Sequence, residues 1–526
     1  MTDATNGPKG LLGWVERTGN RLPDPVFIFL WLIGLLIVFS VVASWLGLSA
    51  LHPTQTDESG AKVVIKSVSL LDAERIRRLW VEMPQTFTHF HPLGYVLVVM
   101  LGAGVAERSG LFSAAMRQGV RAAPISLLTP AVAFVAMMGN LAADAAYVVL
   151  IPLAGVLYAA AGRHPIAGVV AAFAGVSGGF SANLLPGQLD ALLFGITEAA
   201  AEQVVPSWDA NIAGNWYFIA AMLILFLPVV WWITDKVVEP RLTRFTTPDA
   251  EAMRSLGDSH APLSAVERKG LVRACLAALA VCVLWVLFLF LPGTPLYDEQ
   301  AAVPEGRLTP FYQSLVAGFF MLFLAAGWAY GKVAGTVNTH RDVVKMMAGA
   351  MKDLSYYLVL AFAAAHFVAM FNWSNLGLIF AVKGAGAIEH SGLPMPALFA
   401  LIVLFAATVN LFIGSASAKW ALLAPVLVPM MMLLNVSPEM TTAAYRVGDS
   451  VTNIITPLMV YFPLVLTFCQ RWRADFGLGS LTAVMLPYSF WLLLVGLAMT
   501  FFWVYLNLPL GPGAGVHYSL PSQATP

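Results

Sequence analysis

The stretch that decides the fold is Val409–Trp420, "VNLFIGSASAKW". It lies between two strongly apolar runs, LPMPALFALIVLFAAT before it and ALLAPVLVPMMMLL after it. An amide, a glycine, two serines and a lysine in such a setting interrupt what hydropathy alone would read as membrane. Non-helical backbone at membrane depth is tolerated only where it is buried in protein or faces a water-filled cavity. The stretch therefore predicts the turn of a re-entrant hairpin over about 395–433.

The rest of the chain gives the turn its membrane. Hydrophobic residues make up 59% of the 526 positions and charged ones 11%, against roughly 25% charged in a soluble domain; mean hydropathy is +0.76. A formal net charge of zero leaves no basic face for nucleic acid. Cys275, Cys282 and Cys469 fall in or beside apolar segments without metal-ligand spacing and read as small hydrophobes. His89 and His91 in "HFHP" form no complete metal site.

A membrane span needs about 20 apolar residues. Nine segments qualify: about 25–50, 91–107, 165–198, 213–234, 271–291, 311–330, 356–373, 439–467 and 481–507. Two more apolar regions, about 124–160 and 395–433, are long enough for two helices but short for two full crossings. If both enter and leave on one side, most lysines and arginines fall in cytoplasmic loops, as the positive-inside rule requires. A single crossing of 124–160 would instead place the acidic loops 199–212 and 293–306 inside.

The expected fold is all-α and polytopic, with about nine transmembrane helices plus two re-entrant hairpins, the N-terminus in and the C-terminus out. Residues 1–24 form a cytoplasmic tail and 25–234 a first half. A cytoplasmic linker, 235–270, joins it to a second half, 271–507, and 508–526 form an external tail. Amphipathic stretches around 110–122 and 338–352 lie along the cytoplasmic surface, and the mixed-charge loop 52–90 lies outside.

The halves read as copies. Asn140–Leu141 precedes Asn183 at the spacing by which Asn410–Leu411 precedes Asn453, in "GVSGGFSANLLPG" and "GDSVTNIITP". Pro186 and Pro457 close the two motifs. Each half thus holds a hairpin, about 124–160 or 395–433, and a broken helix, about 165–198 or 439–467. With one hairpin entering from each side the repeat is inverted, the recurring design of secondary transporters, whose sites lie where the breaks meet.

Within the breaks, Arg446 is the costliest residue, since a central arginine costs roughly 2.5–3.5 kcal/mol to insert. Asp449 lies three residues on, so the two make either an internal ion pair or an anion-binding arginine beside a cation-binding aspartate. Asn410 with Asp449 offers oxygen ligands of the kind a hard cation such as sodium prefers. Asn140 with Asn183 mirrors them, with Asp144 or Asp190 as carboxylate. Each asparagine alone also fits a plain interhelical hydrogen bond. Ser415 and Ser417 suit close packing or an anion. Lys419 snorkels, pairs with a carboxylate or faces the cavity. Trp420 packs, or stacks on an aromatic substrate.

An intramembrane serine protease is a competing chemistry: "GVSG" at 175–178 supplies Ser177, with His366 as a base. The repeat accounts for the same segment as a helix break. The chain has no Gly-rich phosphate loop for a nucleotide-driven pump, and a channel remains the third class.

The segments "GRHPIAGVVAAFAGVSGGFSANLLPG", "IGSASAKWALLAPVLVPM" and "AAYRVGDSVTNIITPLMVYF", with "FNWSNLG" and "MLPYS", closely resemble the AbgT family of bacterial inner-membrane transporters over nearly the whole chain. The resemblance implies a homodimer of protomers with nine spans and two hairpins, embedded in the inner membrane. It implies cation-coupled export of p-aminobenzoic acid and sulfonamide antimetabolites, or import of p-aminobenzoyl-glutamate. Carried over by position, it implicates Asp190, Ser417, Trp420, Pro438, Arg446 and Pro457 in substrate handling. Asn410 and Asp449 would form a sodium site, sodium being the expected coupling ion and a proton the alternative; no cofactor is implied. The proline and glutamine in "LLPGQLDALL" make the path around Asp190 a departure from the family pattern.

Overall fold

The computed structural model describes residues 25–56, 62–121, 124–142, 146–242, 263–290, 293, 295–299, 307–456, 459 and 461–520. Asp144, Pro457 and the N-terminal tail 1–24 lie outside the described residues. Helix α1 (Pro25–Trp45) leads into an antiparallel hairpin, β1 (Ser49–Thr56) and β2 (Lys62–Lys66). Helix α2 (Ala73–Thr88) then runs almost end to end into α3 (His91–Arg108), and α4 (Leu111–Arg121) follows. The first helical pair is α5 (Leu128–Met138) and α6 (Ile151–Ala160). After it come α7 (Pro165–Phe173), a five-residue π turn over Ala174–Gly178, a non-helical stretch, and α8 (Gln188–Ala201).

Beyond α9 (Trp216–Trp232) come α10 (Ala265–Leu287), α11 (Leu315–Ala334), α12 (His340–Asp353), α13 (Ser355–Trp373) and α14 (Leu376–Ser391). The second helical pair is α15 (Met395–Asn410) and α16 (Ala416–Leu433). Helix α17 (Pro438–Thr452) breaks before α18 (Phe462–Gln470), and α19 (Leu478–Tyr505) closes the helical order. Among the described residues, eight helices are long and apolar enough to cross a membrane, and this is a multi-pass membrane protein.

Two segments differ from expectation. The segment read as an open loop over 52–90 holds β1, β2 and α2; its charged residues suppress the hydropathy signal but suit an amphipathic helix whose side chains are largely exposed or half-buried. Helix α14 was not expected either, since Lys383, Glu389 and three glycines dilute its apolar run. The stretches at 110–122 and 338–352 are helices α4 and α12.

Matched local chemistry starts the two interrupted helices. Proline occupies N1 of both α7 and α17, where a missing N–H costs nothing. The His164 side chain accepts from Ile166 N (3.2 Å), and Ser437 Oγ accepts from Met440 N (3.0 Å). Each path then crosses the first arm of the adjacent pair at a glycine, Gly448 within α17 and Gly175 in the π turn after α7. A Cβ on Gly448 would stand 2.3 Å from Val403 O, and one on Gly175 would stand 2.5 Å from Ala136 Cβ. Only glycine permits backbones so close.

Two apolar clusters meet along α17. One gathers α5, α6, α7, α9 and α19 around Val447 and Val451; the other gathers α1, α8, α13 and α16 around Tyr445 and Trp420. A third joins α3, α4, α10 and α11 through Phe319, Phe323 and Tyr330. The outer face of α10 carries exposed Leu276, Leu279 and Val283, as a lipid-facing helix does. The polar residues of α17 thus sit at the seam between two dry cores.

Candidate functional site

Asn410 ends α15 with its side chain fully buried. Its Nδ2 donates toward Asp449 O (2.7 Å), Thr452 Oγ1 (2.8 Å) and Asn453 Oδ1 (2.9 Å). Its Oδ1 accepts from the Lys419 ammonium, which also pairs with Asp449 Oδ1. Lys419 is likewise fully buried, and Asp449 is 1% exposed. A lysine in the first turn of α16 opposes the helix dipole, which favours anions there; the carboxylate from α17 offsets this.

Arg446 does not pair with Asp449. Its Nη2 lies 2.7 Å from Asp190 Oδ1, at the start of α8, and its Nη1 donates to Asn215 Oδ1 (3.4 Å). Residues three apart on an α-helix diverge by about 60° around the axis, enough for the two charges to face different neighbours. The expected intrahelical pair is thereby replaced by two pairs between elements, Arg446 with Asp190 and Lys419 with Asp449. Neither pair is saturated in the same way. Arg446 Nε has no hydrogen-bond partner, and the contact at Asp190 Oδ1 is too far off axis to count as a hydrogen bond. Asp190 Oδ2 accepts from Gly187 N (2.7 Å), which fixes the start of α8.

Trp420 is fully buried and stacks on Tyr445, with ring centroids 4.4 Å apart. Its Nε1 donates to Thr197 Oγ1 (2.9 Å), which in turn meets Thr442 Oγ1 (2.9 Å). In this conformation the indole is satisfied by protein and has no open face for a substrate. The Tyr445 hydroxyl lies 2.6 Å from Ala416 O and 3.3 Å from Asp449 Oδ1, tying α17 to the first residue of α16. Ser417 lies 3.2 Å from Ser415 through their hydroxyls. With Phe90, Tyr357 and Ala421 it lines a crevice of about 10 Å³, the room of a single water. Pro438 is the buried N1 residue of α17.

The first break contains less charge. Asn140 Nδ2 donates to Met137 O (3.1 Å) and Gly179 O (3.3 Å). Asn183 Nδ2 reaches Met137 O (3.5 Å), and its Oδ1 accepts from Leu185 N (3.3 Å). The two asparagines share a carbonyl but do not bond each other, and Asp190 faces Arg446. The breaks also touch: Asn453 Nδ2 donates to Ser177 O (3.4 Å), and Ser181 N to Ser450 Oγ (3.2 Å).

Ser177 and His366 do not form a nucleophile–base pair, which would require mutual hydrogen-bond reach. Ser177 Oγ faces Met459 Sδ (2.8 Å), and His366 Nδ1 faces Phe362 O on its own helix (2.7 Å). Sequence reasoning missed Asn215, Thr197, Thr442, Tyr445 and Thr452. Asn215 alone left a sequence signal, a polar residue directly before the apolar run of α9.

The oxygens of Asn410 and Asp449 suit a hard cation by chemical type, yet an ammonium already contacts both. Two unit charges 4 Å apart repel by about 4 kcal/mol at an effective dielectric of 20. An ammonium on both oxygens opposes a metal cation there by a repulsion of that order.

Known proteins share this architecture. A model of the AbgT putative transporter family matches residues 10–518. The p-aminobenzoyl-glutamate transport protein of Escherichia coli (strain K12) is 36% identical over 505 residues, 96% of each chain. The structure is similar to that of Neisseria gonorrhoeae MtrF (TM-score 0.88, 41% identity, 96% of this chain and 100% of that one), described as illuminating a class of antimetabolite efflux pumps. It is also similar to the Alcanivorax borkumensis YdaH transporter (TM-score 0.85, 42% identity, 93% and 100%). With the family's model matched over residues 10–518 and its buried charges gathered where two interrupted helices meet, this chain belongs to the AbgT putative transporter family.

Proposed function

We propose that this protein is a cation-coupled secondary transporter in the bacterial inner membrane, exporting p-aminobenzoic acid and sulfonamide antimetabolites as a homodimer. The observation that carries the reading is the Arg446 guanidinium, 1% exposed, with an unpartnered Nε beside an imperfectly aligned Asp190 carboxylate. A buried arginine with spare donors is suited to a carboxylate or a sulfonamide oxygen. The description of MtrF as one of a class of antimetabolite efflux pumps supports export.

In this reading the pairs α5/α6 and α15/α16 are re-entrant hairpins in an inverted repeat, with the N-terminus inside and the C-terminus outside. Asp190, Ser417, Trp420, Pro438, Arg446 and Pro457 handle substrate. Asn410 and Asp449 handle the coupling cation, mirrored by Asn140 and Asn183. The crevice at Ser417 is too small for an aromatic ring, so substrate binds after the hairpin tips and broken helices separate. That motion is the exchange between inward and outward states on which such transporters run.

Import of p-aminobenzoyl-glutamate is the second reading, favoured by the name and 36% identity of the E. coli relative. Proteoliposomes loaded with labelled p-aminobenzoate, p-aminobenzoyl-glutamate or a sulfonamide, under sodium and proton gradients imposed separately, decide between them. Gradient-driven flux of p-aminobenzoate and sulfonamide is expected. Flux of p-aminobenzoyl-glutamate alone favours import, and no gradient-dependent flux of any of the three refutes transport.

A further inference from the structure

We propose that Lys419 is a tethered cation resident on the Asn410 and Asp449 oxygens, and that a sodium ion binds them only when Lys419 has left, each excluding the other. The inference rests on the cation-coupled reading above and identifies what the coupling ion must displace. Three observations carry it. The ammonium contacts both oxygens that sequence reasoning assigned to sodium, and it does so with Lys419 fully buried and away from water. Asn410 is otherwise saturated, its Nδ2 spent on Asp449 O, Thr452 Oγ1 and Asn453 Oδ1, so its Oδ1 is fixed toward the ammonium. Lys419 sits in the first turn of α16, where the helix dipole disfavours a cation and packing alone would select a neutral side chain. The matching position of the first half holds Val149, and Gly179 stands there in place of Asp449.

A tethered competitor lowers the apparent affinity of the free ion by the fraction of molecules in which the tether is displaced. It also couples ion binding to the turn 411–415, because the contact of Lys419 with Asn410 joins the ends of α15 and α16 across that turn. Sodium binding therefore loosens the same segment that must open for substrate.

The test is sodium binding by titration calorimetry on the purified full-length protein in detergent, with choline holding ionic strength constant. Lys419→Met is expected to bind sodium at least about tenfold more tightly than the unmodified protein, and adding Asp449→Asn should abolish the gain. Lys419→Gln, which removes the charge and keeps a hydrogen-bond donor for Asp449, reads the same point if the methionine variant fails to fold. Equal or weaker binding by the neutral variants, no sodium binding in any of the proteins, or a gain that survives Asp449→Asn would overturn the proposal. No flux is read, so a failure of the transport reading leaves this result standing.

Discussion

Asn140 and Asn410 make the same bond in two different surroundings. Each sends its Nδ2 to a backbone carbonyl 39 residues further on, Asn140 to Gly179 and Asn410 to Asp449. Around Asn140 the remaining partner is another backbone carbonyl, and the positions matching Lys419, Arg446 and Asp449 hold Val149, Val176 and Gly179. Around Asn410 those positions hold the charges. The difference teaches that one hydrogen bond serves as a common bracket for both breaks, while charge is concentrated in the second, where Lys419 and Arg446 are each matched by an aspartate. Arg446 reaches the first half through Asp190 and Asn215, so the two breaks share a single charged seam.

The comparison breaks most readily at that seam. Asp449→Ala leaves the buried Lys419 charge with only the Asn410 amide oxygen, and removing one member of a buried pair costs about 3–5 kcal/mol. Chemical unfolding in mild detergent should register that loss, and Lys419→Met in the same chain should recover most of it; no recovery would mean that the loss does not come from the stranded Lys419 charge. Arg446→Ala should destabilise by a similar amount and abolish gradient-driven flux. Arg446→Lys should not restore flux, because an ammonium cannot reproduce the fork that spans Asp190 and Asn215; full flux in the lysine variant would remove Arg446 from the substrate site.

The brackets themselves separate next. Asn410→Ala strips a charged hydrogen bond as well as neutral ones and should cost about 2–3 kcal/mol, whereas Asn140→Ala removes only bonds to carbonyls and should cost about 1 kcal/mol. Equal costs would show that the charges around Asn410 add nothing. The smallest effect lies outside both breaks. Asp342 caps α12, and hydrogen bonds from Thr339 and Asn338 backbone N–H groups hold its carboxyl below the usual range. A depressed carboxyl stabilises above its unfolded value and loses that contribution as pH falls through the folded one. Hydrogen-exchange protection in the first turn of α12, taken relative to the intrinsic rate at each pH, should therefore be unchanged from pH 8 to 6 and fall in acid. Asp342→Ala should show the acid-like protection at every pH, with flux untouched.

Much of the seam was legible in the sequence because charge and amides are costly in apolar runs. Asn410, Asp449, Arg446 and Asp190 could all be picked out, and so could the two helix breaks, from Pro165, Pro438 and the repeated Asn–Leu. Their partners were not legible. Spacing along one helix suggested Arg446 with Asp449, and only the packing of α8 and α16 against α17 divides them. Lys419 had three open readings, since which carboxylate lay within reach depended on how the hairpin turned. Helices α2 and α14 escaped for the opposite reason: their charges and glycines removed the hydropathy signal without removing the helix.

The measurement that tests the crossed pairing most directly is a set of double-mutant cycles in chemical unfolding, on Arg446 with Asp190, Lys419 with Asp449, and Arg446 with Asp449. Coupling of about 1–3 kcal/mol is expected for the first two, and a clearly smaller value for the third. The strongest coupling between Arg446 and Asp449 would contradict the account and return both charges to a single helix face.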